Sequence, residues 1–138
     1  MTTLPTKNGS TAPATKFALR STAETLEQLN RPIDPRHFKT RKQGTATLTY
    51  VSWATLARHL HHRCPQWNWE IQNVAQIGDF VCVTGRLTIP TTDGLLHFSG
   101  IASEPLNGKS FAPAIESCAS ACLRRACSLS GLGLELYP

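Results

Sequence analysis

A chain of 138 residues, 41% hydrophobic and 17% charged, suits one domain with a single small core and is too apolar for a disordered protein. No apolar run approaches the ~20 residues that a membrane-spanning helix needs, so no membrane role is expected. The formal charge of +5 favours an anionic partner, and five cysteines, an odd number, argue against a disulfide framework.

Residues 1–16, "MTTLPTKNGSTAPATK", lack the apolar stretch of a secretory leader and read as a flexible arm before one domain at 17–138. The cysteines therefore fit a reduced, cytoplasmic compartment, where they act as small buried hydrophobes. In "FALRSTAETLEQL", residues 17–29, Leu19, Ala23 and Leu26 fall at helical spacing, and Asn30, Pro32 and Pro35 end that helix. The next stretch is basic. Residues 31–63 hold seven Lys/Arg against the single acid Asp34, whereas residues 66–138 hold four against six acids. That asymmetry predicts a polyanion-binding face.

"TATLTYVSW" predicts a short strand at about 46–51. Ser52 then caps a helix in "WATLARHLHHR", with Trp53, Leu56 and Leu60 on one stripe. Three β-rich segments follow, "WNWEIQNVAQI", "FVCVTGRLTI" and "LLHFSGIA", separated by Gly78-Asp79 and Asp93-Gly94; they predict an antiparallel meander. Trp53, Trp67 and Trp69 could stack on bases, but their phase with apolar neighbours favours core packing, at least for Trp53 and Trp69. A loop with Pro105, Asn107 and Gly108 leads to a long helix at about 113–130, with Pro113 in its first turn and Gly131 beyond its end. The expected fold class is α+β: a helix, a short strand and a helix, then a three-stranded meander covered by the last helix.

On that last helix Ile115, Cys118, Ala119, Cys122, Ala126 and Leu129 form the predicted sheet-facing stripe. Ser117, Ser120, Arg124 and Ser128 lie opposite, and Arg125 sits at the margin. Adjacent arginines with no acid within one turn, among short hydroxyls, suit a sugar-phosphate backbone. Enzyme readings find little support. There is no CxxC pair, HExxH, Walker lysine motif or GxSxG, and the nine acids are scattered rather than clustered for metal. Neither catalytic residues nor a metal or other cofactor are expected, and the histidines of "HLHHRC" read as surface or phosphate-contacting groups.

Four stretches carry a resemblance. "PRHFKTR" with "LTYVSWATLARHL", then "FVCVTGRLTIPTTDGLLHFSGIA", "SEPLNGKS" and "ESCASACLRRACSLSGLG" are similar, in order and spacing, to the Rad-fifty-two superfamily of single-strand annealing proteins, especially its short DdrA-like branch. The likeness covers residues 22–137. It implies a β-β-β-α core assembling into a ring or arc, with single-stranded DNA in a basic groove and annealing without ATP, in recombination and repair near the nucleoid. It also implies DNA-contacting roles for Arg124 and Arg125 on the long helix, for Lys39, Arg41 and Lys42 in the basic segment, and for Lys109 in the connecting loop as part of a second surface. Thr55 stands where the family often has a basic groove residue, with Arg58 one turn later as its substitute. The family's larger members recruit a recombinase or single-strand-binding protein through a tail beyond the point where this sequence ends. The alternatives are a duplex-RNA or general nucleic-acid module, and protection of DNA ends without annealing.

Overall fold

In the computed structural model, which describes residues 18–137, the first helix starts later than its apolar spacing suggests. Helix α1 is Thr22–Leu29 rather than 17–29, because Ser21 and Glu24 form a capping box. The Ser21 hydroxyl accepts from the Glu24 N–H at 3.1 Å, and the Glu24 carboxylate accepts from the Ser21 N–H at 3.1 Å. Leu19 therefore lies ahead of the helix, exposed, and Thr25 and Leu29 are its buried residues. The expected arm, 1–16, lies outside the described residues.

The basic segment contains a strand that its composition hides. Beyond a short 3-10 turn at Pro35–His37, β1 (Lys39–Gln43) pairs antiparallel with β2 (Ala46–Tyr50), the strand expected near 46–51. Gly44, at φ +64°, opens the two-residue turn between them. This hairpin is a separate two-stranded sheet, exposed along nearly all its length. It is held at its base by half-buried Phe38 and by buried Val51.

Helix α2 (Trp53–Arg63) starts at Ser52, whose hydroxyl accepts from the Thr55 N–H at 3.2 Å. Leu56 and Leu60 are buried as expected. Trp53 is not: at the first turn it projects past the core and is 55% exposed, which corrects its reading as a core residue. Trp67 and Trp69 do pack against the core.

The meander is as its turn signals suggest: β3 (Asn68–Ile77), β4 (Phe80–Thr91) and β5 (Gly94–Pro105), in the order β3-β4-β5 and antiparallel throughout. Strand β4 alternates without a break, burying Val81, Val83, Leu87 and Ile89. In β3 a register shift between Ile71 and Asn73 breaks the period. Gly85 and Gly100 are cross-strand partners on the inner face, and both are needed for space. A Cβ at Gly85 would lie 2.4 Å from the Trp69 ring, and one at Gly100 would lie 2.2 Å from the Cys122 carbonyl oxygen.

Helix α3 (Phe111–Ser130) covers this inner face and ends at Gly131, which is left-handed at φ +107°. Its buried set differs from the predicted stripe. Cys118, Cys122 and Ala126 are buried, but Leu129 is 66% exposed while Leu123 and Cys127 are buried instead. The reason is a second layer. The sheet takes Ala114, Cys118 and Cys122 against Val81, Val83 and Ala102. The second half of the helix turns Leu123, Ala126 and Cys127 toward Leu29, Ile33, Leu56, Leu60 and Leu132. One face would serve one neighbour; this helix has two.

All five cysteines are free, and all but Cys82 are buried. Burial pushes the Cys64, Cys118 and Cys122 thiols up, and that of Cys127 up to about 12, so none is a ready thiolate. N-ethylmaleimide at neutral pH is therefore expected to label Cys82 alone in the folded protein. Peptide mapping checks this, and labelling of Cys122 or Cys127 before denaturation would contradict the packing. No helix among the described residues is long and apolar enough to cross a membrane.

Candidate nucleic-acid interface

The hairpin and the C-terminal half of α3 face each other across a cavity of about 420 Å³. Arg41 and Tyr50 contribute from the hairpin, Arg124 and Arg125 from α3, and Leu136 and Tyr137 from the segment after it. Among the described residues no carboxylate lines this groove. Strand register explains the hairpin wall. Arg41 is paired with Leu48 and Lys39 with Tyr50, so these four share one face, and alternation puts Lys42 on the other. The Arg41 guanidinium lies 5.5 Å from the centroid of the Tyr50 ring, a cation–π contact that steadies it.

Arg124 is half-buried beneath that wall. Burial lowers its pKa. The Tyr137 and Tyr50 hydroxyls oppose this, and the charges of Arg41 and Arg125 add to it. A guanidinium stays protonated under such pressure, so the groove gathers like charges without a counter-ion among the lining residues. A polyanion relieves both the repulsion and the lost hydration. Arg125 is exposed, and its Nη1 donates to the Ile101 carbonyl at 2.5 Å, on the open edge of β5. It lines both the groove and a neighbouring apolar notch with Ile101, Leu129, Leu134 and Tyr137. The Ser128 hydroxyl is spent on the Arg124 carbonyl at 2.8 Å.

The other expected site residues lie elsewhere. Arg58 is on the exposed face of α2 and does not line the groove. Thr55 is half-buried, and its hydroxyl and N–H both pair with Ser52, so it serves the helix start. Lys109 lines a different depression with Glu104, Asn107 and Ser110, none of which touches the groove. It stands just ahead of α3, roughly 20 Å along the helix from Arg124.

The seven cations of 31–63 are not all available. Arg36 pairs with Asp34 at 2.6 Å, and those hydrogen bonds hold the Asp34 carboxyl down to about 2. Arg63 is buried against backbone carbonyls. His59, read as a surface group, is half-buried and faces Arg63. Among the described residues no group of three or more His, Cys, Asp or Glu is placed to hold a metal ion.

Tyr50 and Tyr137 are groove residues that sequence reasoning missed. Only the register of the hairpin, once β1 is known, places Tyr50 on the face of Arg41. Nothing local marks Tyr137.

No family model matches the chain. It is 28% identical over 120 residues to the mitochondrial DNA repair RAD52-like protein 1 of Arabidopsis thaliana, covering 86% of this chain and 68% of that protein. It is 28% identical over 123 residues to the chloroplastic DNA repair RAD52-like protein 2 of the same plant, covering 86% of this chain and 61% of that protein. A de novo designed protein aligns at 17% identity and a TM-score of 0.23, too weak a likeness to argue from. Over most of its length, then, the chain bearing this basic groove is similar, at 28% identity, to two plant RAD52-like proteins.

Proposed function

We propose that the protein binds single-stranded DNA in the groove between the hairpin and α3, and anneals complementary strands without ATP or metal, in recombination and repair. The observation that carries this is the convergence of Arg41, Arg124 and Arg125 on one concave surface that no carboxylate among the described residues lines. Distant similarity to two DNA repair RAD52-like proteins supports it, and the four motifs extend it to the short DdrA-like branch.

Complementary strands repel through their phosphates. Cations that hold one backbone lower that barrier and release counter-ions, while base pairing supplies the free energy, so no catalytic group is needed. Phosphate contacts carry no base information, and sequence preference is slight. One subunit offers few cations, so a ring or arc that repeats them along one strand multiplies the affinity. Two features support assembly. The outer edges of β3 and β5 are unpaired among the described residues. Both carry exposed apolar side chains, Ile71, Val74 and Ile77 on one and Ile101 beside Leu129 on the other. Lys109 provides a second DNA-contacting surface at the far end of α3, and Lys39, Lys42 and Arg58 add positive potential along the approach.

Mixing dye-labelled complementary oligonucleotides with protein, free of ATP and metal, tests the reading. Rapid pairing that slows as salt rises, by a protein sedimenting as a multimer, is the expected result. A solitary protein that prefers duplex RNA, or ignores single strands at low ionic strength, would end it.

A further inference from the structure

Arg63, at the last turn of α2, is the only buried cation among the described residues, at 8% exposure. Its Nη1 donates to the carbonyls of Gln28 at 3.0 Å, Leu29 at 3.2 Å and Arg31 at 2.6 Å, and its Nη2 to that of Pro32 at 3.4 Å. The first two end α1, at the negative pole of that helix, and the other two belong to the segment that follows its cap Asn30. Nη2 also lies 3.2 Å from His59 Nδ1. A guanidinium has no lone pair to offer, so Nδ1 must be the acceptor. His59 is then neutral, with its proton on Nε2.

The stretch that Arg63 holds leads straight to the groove. It runs through Ile33, whose N–H donates to the Glu135 carboxylate at 2.8 Å, and then through the Pro35–His37 turn into β1, which carries Arg41. Glu135 in turn precedes Leu136 and Tyr137 on the opposite wall. One polar cluster thus ties the base of the hairpin to the segment that follows α3.

We propose that Arg63 and His59 form a proton-sensitive positioning clamp that sets the hairpin wall against the α3 wall, intact only while His59 is neutral. Protonation removes the lone pair that Arg63 uses and sets two cations face to face. The groups around His59 are Arg63 and His62 on its own helix, His37 in edge contact at 6.0 Å between ring centroids, and Glu135 from the C-terminal turn. Burial, and then the charges of Arg63, His37 and His62, lower its pKa, while Glu135 opposes them. The sign follows. Below the unfolded value of about 6.5 an unfolded chain takes up a proton that the clamp resists, so the clamp weakens as pH falls.

The consequence for DNA rests on the function proposed above; the clamp does not. Hydrogen exchange without DNA tests it directly, as protection of the β1 amides 39–43 between pH 7.5 and 5.5, corrected for the intrinsic pH dependence of exchange. Wild type is expected to lose up to about tenfold, the ceiling set by an unfolded value of about 6.5, and His59→Asn none, since its amide oxygen can accept near the Nδ1 position and does not titrate. Binding of a dT oligonucleotide at constant ionic strength should fall by a similar factor in wild type alone. That direction is diagnostic, because positive charge gained elsewhere on the protein attracts a polyanion more strongly. Constant β1 protection in wild type, an equal loss in His59→Asn, or an equal loss in β4 would overturn the clamp. If His59→Asn does not fold, the contrast between β1 and β4 in wild type decides. Absence of DNA binding at pH 7.5 would sink the functional reading and leave the exchange result to stand by itself.

Discussion

Replacing Arg124 and Arg125 together by alanine is expected to abolish annealing and weaken binding of a dT oligonucleotide by about 100-fold or more, since charged hydrogen bonds contribute about 1.5–3 kcal/mol each. The slope of log affinity against log salt should fall by about 1.4, at about 0.7 for each single-strand phosphate that the variant no longer neutralises. The fold should survive. Neither side chain belongs to a core cluster, and the bond from Arg125 to the Ile101 carbonyl is at the surface. An unchanged circular dichroism spectrum and sedimentation profile provide the control. Arg124→Lys is expected to recover only part of the affinity, because a point charge replaces a planar fork in a half-buried setting. Wild-type annealing by the folded double variant would remove the groove from the account altogether.

Gly100→Ala is expected to cost about 3 kcal/mol or more and to lower the melting temperature by roughly 10 °C. The added methyl would meet the Cys122 carbonyl oxygen at 2.2 Å, its carbon at 3.0 Å and the Ala126 nitrogen at 3.2 Å. All three are helix backbone, so no rotamer change relieves the clash. Helix α3 would have to lift off β5, opening the cluster of Val81, Val83, Ala102, Cys118 and Cys122 and shifting Arg124 with it. Gly85→Ala makes the contrast. Its methyl would meet the Trp69 ring first, a side chain rather than helix backbone, so a smaller loss is expected. Urea denaturation of the two variants checks the order, and a wild-type midpoint for Gly100→Ala would mean that α3 does not sit this close to the sheet.

The meander was legible because its signals are local. Strand β4 alternates by itself, and its Gly-Asp and Asp-Gly neighbours mark the turns. Strand β1 was not, because "KTRKQ" has no apolar residue to alternate; a hairpin exposed on both faces has no buried side to leave a pattern. Leu129 was misplaced and Leu123 and Cys127 omitted for a related reason. A helical wheel assumes one buried face, whereas α3 is covered first by the sheet and then by α1 and α2. Trp53 misled through its size: being in phase with Leu56 does not bury a residue at the first turn, where the helix runs past the core.

The candidate site divides along the same line. That Arg124 and Arg125 share a helix without nearby acids follows from 100° per residue and the sequence alone, as do the meander and the helix that covers it. Which other cations join them did not follow. Charge density marked the stretch 31–63 without ranking its seven cations, but folding spends Arg36 on Asp34 and Arg63 on the end of α1, turns Arg58 away from the groove, and brings Arg41 across from Arg124. Spacing along a chain encodes what one element presents. Which elements face each other depends on how the whole core packs, and only the tertiary structure decides that.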